Sequence, residues 1–306
     1  MSEFSNNLSE RNILFFEDAL SQLQFPERGG LRASRELRST YREEFSFYRP
    51  PQLVGLVERL ISDEVEDSLF ERAMLAVDEY ENFSYHQKHL AHEHIDSGNS
   101  RRMTLGATLL RKIGAFEDLG FNLLMGGERG YVALQQLMVA PRGKAVDAIP
   151  NALELFNVSF ESEILRAGAL FFASSQASAL PSHNPNYLRV RETLTELIKD
   201  PLEKLEIAIE AINGLVRFIA INDEPAELLL PIFDRQSLEV QHLAIESLLQ
   251  HAITDKALFE PLQRFVQNEN VPSSMKKDGW ILLKAHLAEI PELRAKLEDD
   301  LSGDAK

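Results

Sequence analysis

The sequence contains no cysteine. This absence excludes disulfides, thiolate zinc sites, iron–sulfur clusters and cysteine nucleophiles. The chain also lacks an apolar run of the roughly 18 residues that a membrane-spanning helix requires. Its first residues, MSEFSNNLSERN, are polar and acidic, unlike a signal peptide. We therefore expect a cytoplasmic protein that does not enter a membrane.

Positive charge is scarce in this chain. It has 32 Lys and Arg residues against 48 Asp and Glu residues, which gives a formal net charge of −16. A broad nucleic-acid surface needs clustered cations that displace counterions from the phosphates. The charge balance therefore disfavours a nucleic-acid partner, although it permits a local basic patch.

Alternation of apolar and polar residues, which is typical of half-buried strands, is also missing. Most segments instead place apolar residues every three or four positions, as an amphipathic helix does. The stretch SLEVQHLAIESLLQHA (237–252) has its apolar residues at Val240, Leu243, Ala244, Leu248 and Ala252. Ser237 is a suitable N-cap for that helix. The pattern predicts an all-α protein with roughly fourteen to sixteen helices of ordinary length.

The C-terminal half repeats itself every 35 or 36 residues. A shift of 35 aligns Val240 with Met275, Ala244 with Gly279, and Leu248 with Leu283, and a shift of 36 in the other direction aligns Ala244 with Ala208. Two helices in roughly 35 to 40 residues is the period of a helical solenoid, whose stacked helix pairs bury a continuous core. The small residues at the centre of each second helix indicate that neighbouring helices approach closely there.

The segment LLLPIFDRQSLEVQHLAIESLL resembles a HEAT repeat. The residues that carry this resemblance are Pro231 in the first helix, Asp234 in the turn, and Val240 and Ala244 in the second helix. Gln241 and Lys276 stand where the family usually has Arg, so the repeats are divergent. The resemblance covers residues 145–298, and an earlier copy fits residues 50–80. It implies a HEAT- or armadillo-like superhelix, and such solenoids mostly serve as binding surfaces.

These patterns suggest three regions. Residues 1–140 form an N-terminal helical region, either a bundle or divergent repeats; residues 141–300 form the HEAT-like solenoid; and residues 301–306 form a disordered tail. Two glycine-containing basic stretches, GGERG (126–130) and APRGKA (140–145), follow no strand and lack the spacing of a phosphate-binding loop. We interpret both as turns between helices, where glycine supplies a positive φ.

Four of the eight histidines lie within YHQKHLAHEHIDS (85–97). On a single helix over residues 73–96, His94 falls on the apolar face, which predicts that it is buried. Glu79, His86, His89 and Glu93 fall near one another, off that face. This spacing leaves two interpretations open: an ordinary solvated helix surface, or a site for a divalent metal such as zinc, iron or manganese.

The spacing Glu79-x6-His86 resembles one ligand pair of the heme-oxygenase-like di-iron oxidases. That resemblance implies iron and an oxidase activity, and the family has a further His-x3-Asp-x2-His set on later helices. The closest later stretch here is His242-x3-Glu246-x4-His251, which departs from that set because its last histidine lies on the opposite side of the helix.

The basic residues concentrate in ERGGLRASRELRSTYREE (27–44). Its arginines recur at helical spacing and form one stripe: Arg28, Arg32, Arg35, Arg38 and Arg42. Guanidinium groups suit carboxylates and phosphates. The stripe either pairs with acidic side chains of the same chain, or it recognises an acidic or phosphorylated partner protein.

Common catalytic motifs such as G-x-S-x-G and H-E-x-x-H are absent from the sequence. We therefore expect a non-enzymatic scaffold or adaptor that binds another protein through a helical-repeat surface, without a required cofactor. A metal-dependent helical oxidase is the alternative hypothesis. A HEAT-type protein that binds or repairs DNA is a third, which the negative charge disfavours.

Overall fold

The computed structural model describes residues 50–62, 67–80, 83–158, 161–200 and 204–293. Every regular element among these residues is an α-helix or a 3-10 helix, so the all-α prediction is confirmed for them. None of the described helices is both long enough and apolar enough to cross a membrane. The chain divides into two compact units, residues 1–119 and 120–306. The predicted division near residue 140 stays a prediction.

The first unit contains four described helices and the start of a fifth. They are α1 (Pro50–Ser62), α2 (Asp67–Glu79), α3 (Lys88–Ile95), α4 (Ser100–Lys112) and α5 (Phe116–Leu124), with a 3-10 turn at Tyr85–Gln87 before α3. Helices α3 and α4 pack closely, because Gly106 has no side chain: a Cβ there would lie 2.5 Å from the backbone oxygen of Ala91. The core of this unit includes Leu53, Val77 and Leu109.

The prediction of one continuous helix over residues 73–96 is wrong. Helix α2 ends at Glu79, and Phe83 and Ser84 are not helical. The backbone N–H of Ser84 donates a hydrogen bond of 2.8 Å to the side chain of Gln87, which caps a new helical turn. The angular relation between Glu79 and His86 on one helix therefore does not hold.

The second unit contains nine further described helices. They are α6 (Gly127–Met138), α7 (Ile149–Phe156), α8 (Glu163–Ala177), α9 (Pro185–Leu197), α10 (Leu205–Asn222), α11 (Leu230–Arg235), α12 (Leu238–Gln250), α13 (Phe259–Gln267) and α14 (Ser273–Glu289), with 3-10 turns at Val146–Ala148, Ala226–Leu229 and Lys256–Leu258. Helices α7 and α8 pack together as a hairpin, and so do α9 and α10, α11 and α12, and α13 and α14. The second helices α8, α10, α12 and α14 also pack, each against the next.

The sequence explains the start and the packing of these helices. Ser237 caps α12 as predicted, since its hydroxyl oxygen accepts a hydrogen bond from the Val240 N–H. Ala244 and Gly279, the small residues predicted at the centre of α12 and α14, are buried. A Cβ at Gly279 would lie 2.7 Å from a methyl carbon of Val266, so the absence of a side chain at Gly279 allows this close approach of α13 and α14.

Candidate functional site

The predicted arginine stripe of Arg28, Arg32, Arg35, Arg38 and Arg42 lies outside the described residues. Its interpretation as a recognition surface stays a prediction.

The clustered histidines face different carboxylates. His89 Nδ1 lies 3.3 Å from Glu93 Oε1, His92 Nε2 lies 3.2 Å from Asp118 Oδ1, and His94 Nε2 lies 3.2 Å from Glu58 Oε1. The burial predicted for His94 is confirmed. The proximity of this imidazole is the main reason that the pKa of Glu58 lies below its ordinary value, although burial of Glu58 opposes the shift. These three histidines, although close in sequence, thus contact three different carboxylates.

The four residues predicted as metal ligands lie in different elements and differ in their exposure to solvent. Glu79 is buried at the end of α2, and His86 is exposed in the 3-10 turn. His89 and Glu93 form a pair one helical turn apart, with side chains that are 87% and 60% exposed. Within the part of the chain that the structure describes, neither Glu79 nor His86 joins this pair in a group of three ligands. A metal site at these four residues stays a prediction.

One other group of potential metal ligands does come together among the described residues. It consists of His242 and Glu246, one turn apart on α12, and Asp278 on α14, with one ligand atom of each lying within 4.8 Å of the others. The distance from His242 Nε2 to Asp278 Oδ2 is 2.9 Å. The sequence analysis named His242 and Glu246 only in a stretch that departs from the di-iron ligand set, and it missed Asp278, which lies on the next hairpin. The repeat gives only a coarse signal for Asp278, which follows His242 by 36 residues and so lies one position beyond the residue that the 35-residue shift aligns with His242.

A pocket of about 360 Å³ lies within the second unit, and we call it the α6–α8 pocket. It is lined by Leu137, Met138, Ala140, Pro141, Arg142, Phe171, Phe172, Ser175 and Gln176. These residues come from the end of α6, the following loop and the second half of α8. Six of these nine residues are apolar, although about half of the exposed pocket surface is polar, and Arg142 is the one charged residue among them. The sequence stretch APRGKA, which we interpreted only as a turn, thus also forms a pocket wall.

A second arginine reaches the same region from α10. The Arg217 guanidinium carbon lies 4.9 Å from the centroid of the Phe171 ring, and Arg217 Nη1 donates a 2.8 Å hydrogen bond to Ser174 Oγ. Burial lowers the pKa of Arg217, the nearby positive charge of Arg142 lowers it further, and Glu210 opposes both effects. Sequence reasoning missed Arg217, whose signal is a single basic residue within the apolar run NGLVRFIAI.

The outer face of α14 combines exposed apolar and basic side chains. Trp280 and Ile281 are 45% and 48% exposed, and Trp280 is the single tryptophan of the chain. Lys277 and Lys284 lie three residues before and four residues after Trp280, on the same side of the helix, and both are exposed. Neither lysine has a hydrogen bond or an ion pair with another described residue. We call this surface the α14 face.

No protein-family profile matches this chain, and no curated protein matches it significantly.

Proposed function

We propose that the protein is a non-enzymatic adaptor built from divergent HEAT-like repeats, which binds an acidic protein partner. The repeat architecture is supported by the order of contacts in the second unit. Hydrogen bonds that join its hairpins span 30 to 43 residues, from Arg264–Asp234 to Arg217–Ser174. This spacing is close to one repeat length, as expected when each helix pair contacts the next pair.

The observation that carries the binding function is the α14 face. A surface helix normally directs charged residues to water and apolar residues to the core. Helix α14 buries Leu282 and Leu283 on one side but also exposes Trp280 and Ile281 on the other. Tryptophan is among the residues most enriched in the energetically dominant part of protein interfaces.

The charge of this face indicates the chemistry of the partner. Lys277 and Lys284 flank Trp280 without a carboxylate partner among the described residues, in a chain whose net charge is −16. A local basic patch attracts an acidic or phosphorylated protein segment. The negative charge on the rest of the protein disfavours binding of the same segment at other surfaces. The cytoplasm is the location that we expect for this interaction.

Affinity capture from a cell extract, with four matched variants, tests this function. Trp280→Ala and Lys284→Glu alter the α14 face, whereas Leu188→Ala and Arg189→Glu remove an exposed apolar and an exposed basic residue from α9. We expect the wild type and the α9 variants to capture the same protein, which has an acidic segment. The α14 variants should weaken its binding at least about tenfold.

Titration with the purified partner then reports directly on the face. Because Trp280 is the single tryptophan, its emission should shift to shorter wavelength when the partner covers it. Equal capture by all four variants would contradict the proposal. The alternative is that the C-terminal residues of the same chain cover the α14 face. A chain that ends at residue 293 tests this alternative, because removal of such a cover would shift Trp280 emission to longer wavelength.

A divalent cation at His242, Glu246 and Asp278 is a second candidate function. One imidazole and two carboxylates suit zinc, manganese or ferrous iron. Metal analysis of the untagged protein should find an ion that is lost in Asp278→Asn but kept in Glu93→Gln. The opposite pattern would locate the ion at the predicted histidine cluster and would revive the oxidase hypothesis. Protein that takes up no added metal would exclude both sites and leave His242 and Asp278 as an ion pair.

A further inference from the structure

The α6–α8 pocket has the size of a small-molecule site, and its surface is about half polar. Its volume of about 360 Å³ lies at the lower end of the range of roughly 300 to 1,000 Å³ that is typical of ligand sites. Such sites are mostly apolar with a few polar groups that orient the ligand. Here Met138, Phe171 and Phe172 supply apolar walls, and Arg142 and Gln176 supply polar groups.

A glycine-dependent turn holds Arg142 beside this pocket. The Lys144 N–H donates a 3.1 Å hydrogen bond to the Pro141 carbonyl, and Gly143 has a φ of +73°. A positive φ at the third residue of a turn requires glycine or a similarly permissive residue. The turn therefore fixes the direction in which Arg142 leaves the backbone. Arg142 has no hydrogen bond or ion pair with another described residue.

A second positive charge lies behind the Phe171 ring. The Arg217 guanidinium lies over that ring and donates a hydrogen bond to Ser174, while Arg142 lines the pocket together with Phe171. Glu210 is a carboxyl whose charge acts on Arg217, and burial raises the pKa of that carboxyl. Its Oε2 atom has no hydrogen-bond partner among the residues that the structure describes. The geometry thus places one arginine on the pocket wall and a second against Phe171, inside a strongly acidic protein.

Gln176 supplies hydrogen-bond donors at the same place. Its side chain lines the pocket although the residue is only 2% exposed. The Oε1 atom accepts a 3.2 Å hydrogen bond from the Ala145 N–H, which orients the amide. The amide nitrogen and its two N–H donors have no partner among the described residues and remain for a ligand.

We propose that the α6–α8 pocket binds a small organic anion. Its carboxylate or phosphate group pairs with Arg142 and accepts a hydrogen bond from Gln176, while its aromatic or aliphatic body packs against Met138 and Phe171. Guanidinium groups form paired hydrogen bonds with either type of anion. This site does not depend on the α14 face, which is formed by a different hairpin.

Nuclear magnetic resonance of methyl-labelled methionine tests this proposal in the full-length protein. The chain has six methionines, of which Met138 lines the pocket and Met125 lies outside its lining. Phenyl phosphate and phenylacetate are the two anionic probes; benzyl alcohol is the neutral probe and inorganic phosphate is the probe without an apolar body. We expect at least one anionic aromatic probe to shift the Met138 methyl resonance and leave that of Met125 in place.

Two variants in the same turn separate ligand binding from general charge attraction. Arg142→Gln should weaken binding at least about tenfold, because it removes the guanidinium that lines the pocket. Lys144→Gln removes one positive charge from an exposed residue two positions away and should change affinity less than about twofold. Which probe binds tighter distinguishes a phosphate ligand from a carboxylate ligand.

The proposal is overturned if neither anionic probe moves the Met138 resonance at concentrations up to about 10 mM. It is equally overturned if benzyl alcohol binds as tightly as the anionic probes, or if Arg142→Gln and Lys144→Gln weaken binding to the same extent. Circular dichroism of both variants checks that they stay folded.

Discussion

His286 shows how the fold determines the protonation of one side chain. It is fully buried in α14, where its Nε2 accepts a 3.1 Å hydrogen bond from the Asp255 N–H and its Nδ1 lies 2.9 Å from the Leu282 carbonyl oxygen. Because an amide N–H only donates and a carbonyl only accepts, the ring is neutral with its proton on Nδ1. Burial lowers the pKa of His286, while the Leu282 carbonyl and the charge of Asp255 oppose that shift.

This arrangement predicts a pH-dependent contribution to stability. The unfolded chain binds a proton at His286 near pH 6.5, whereas the folded chain binds it only at lower pH, so lowering the pH below about 6.5 favours unfolding. In urea unfolding, wild type should exceed His286→Gln by roughly 1 to 3 kcal/mol above that pH, and the difference should shrink as the pH falls. As a control at an exposed position, His183→Asn should retain the pH dependence that His286 confers. A difference between wild type and His286→Gln that stays constant from pH 7.5 to about 5 would contradict the assignment.

At the scale of helices, two glycines predict opposite effects of the same substitution. A Cβ at Gly106 would meet the backbone of α3, since it would lie 2.5 Å from the Ala91 oxygen and 2.9 Å from the Ile95 nitrogen. Gly106→Ala should therefore destabilise the protein by about 1 to 3 kcal/mol, because neither backbone group can move aside easily. Gly55 lies within α1, and a Cβ added there would meet no atom within 4 Å, so Gly55→Ala should stabilise the protein by about 0.5 to 1 kcal/mol. Denaturant unfolding of both variants checks the sign, and a loss of stability in both would show that close packing is not the cause.

Helices were predicted more successfully than the contacts between them. The periodicity of residues 237–252 predicted α12 and its Ser237 cap, because both depend on neighbouring residues. The break after Glu79 was missed although Ser84 and Gln87 match the capping-box spacing, since the apolar pattern continues across it. The three-residue group with Asp278 and the approach of Arg217 to Phe171 depend on packing between hairpins, which periodicity along one helix does not report.

At the scale of the second unit, the stacking of hairpins predicts how far a local defect spreads. Leu282 on α14 and Leu170 on α8 are both buried, and replacement of either by Ala should cost about 2 to 5 kcal/mol locally. Because each hairpin contacts mainly its neighbours, hydrogen exchange should accelerate in α12 and α13 for Leu282→Ala but not in α8. Leu170→Ala should instead accelerate hydrogen exchange in α8 and leave exchange in α12 and α13 unchanged. Equal acceleration across all helices in either variant would show that this unit unfolds as one cooperative body.

The hydrogen bonds between hairpins also have a consequence for biosynthesis. Each of these bonds joins a residue to one that was synthesised 30 to 43 positions earlier. A hairpin that leaves the ribosome therefore meets a completed neighbour and does not wait for distant sequence. Ribosomes add roughly 5 to 20 residues per second, whereas helices form within microseconds. The second unit is thus suited to fold in the order of translation, with each new helix pair covering the apolar side of the previous one.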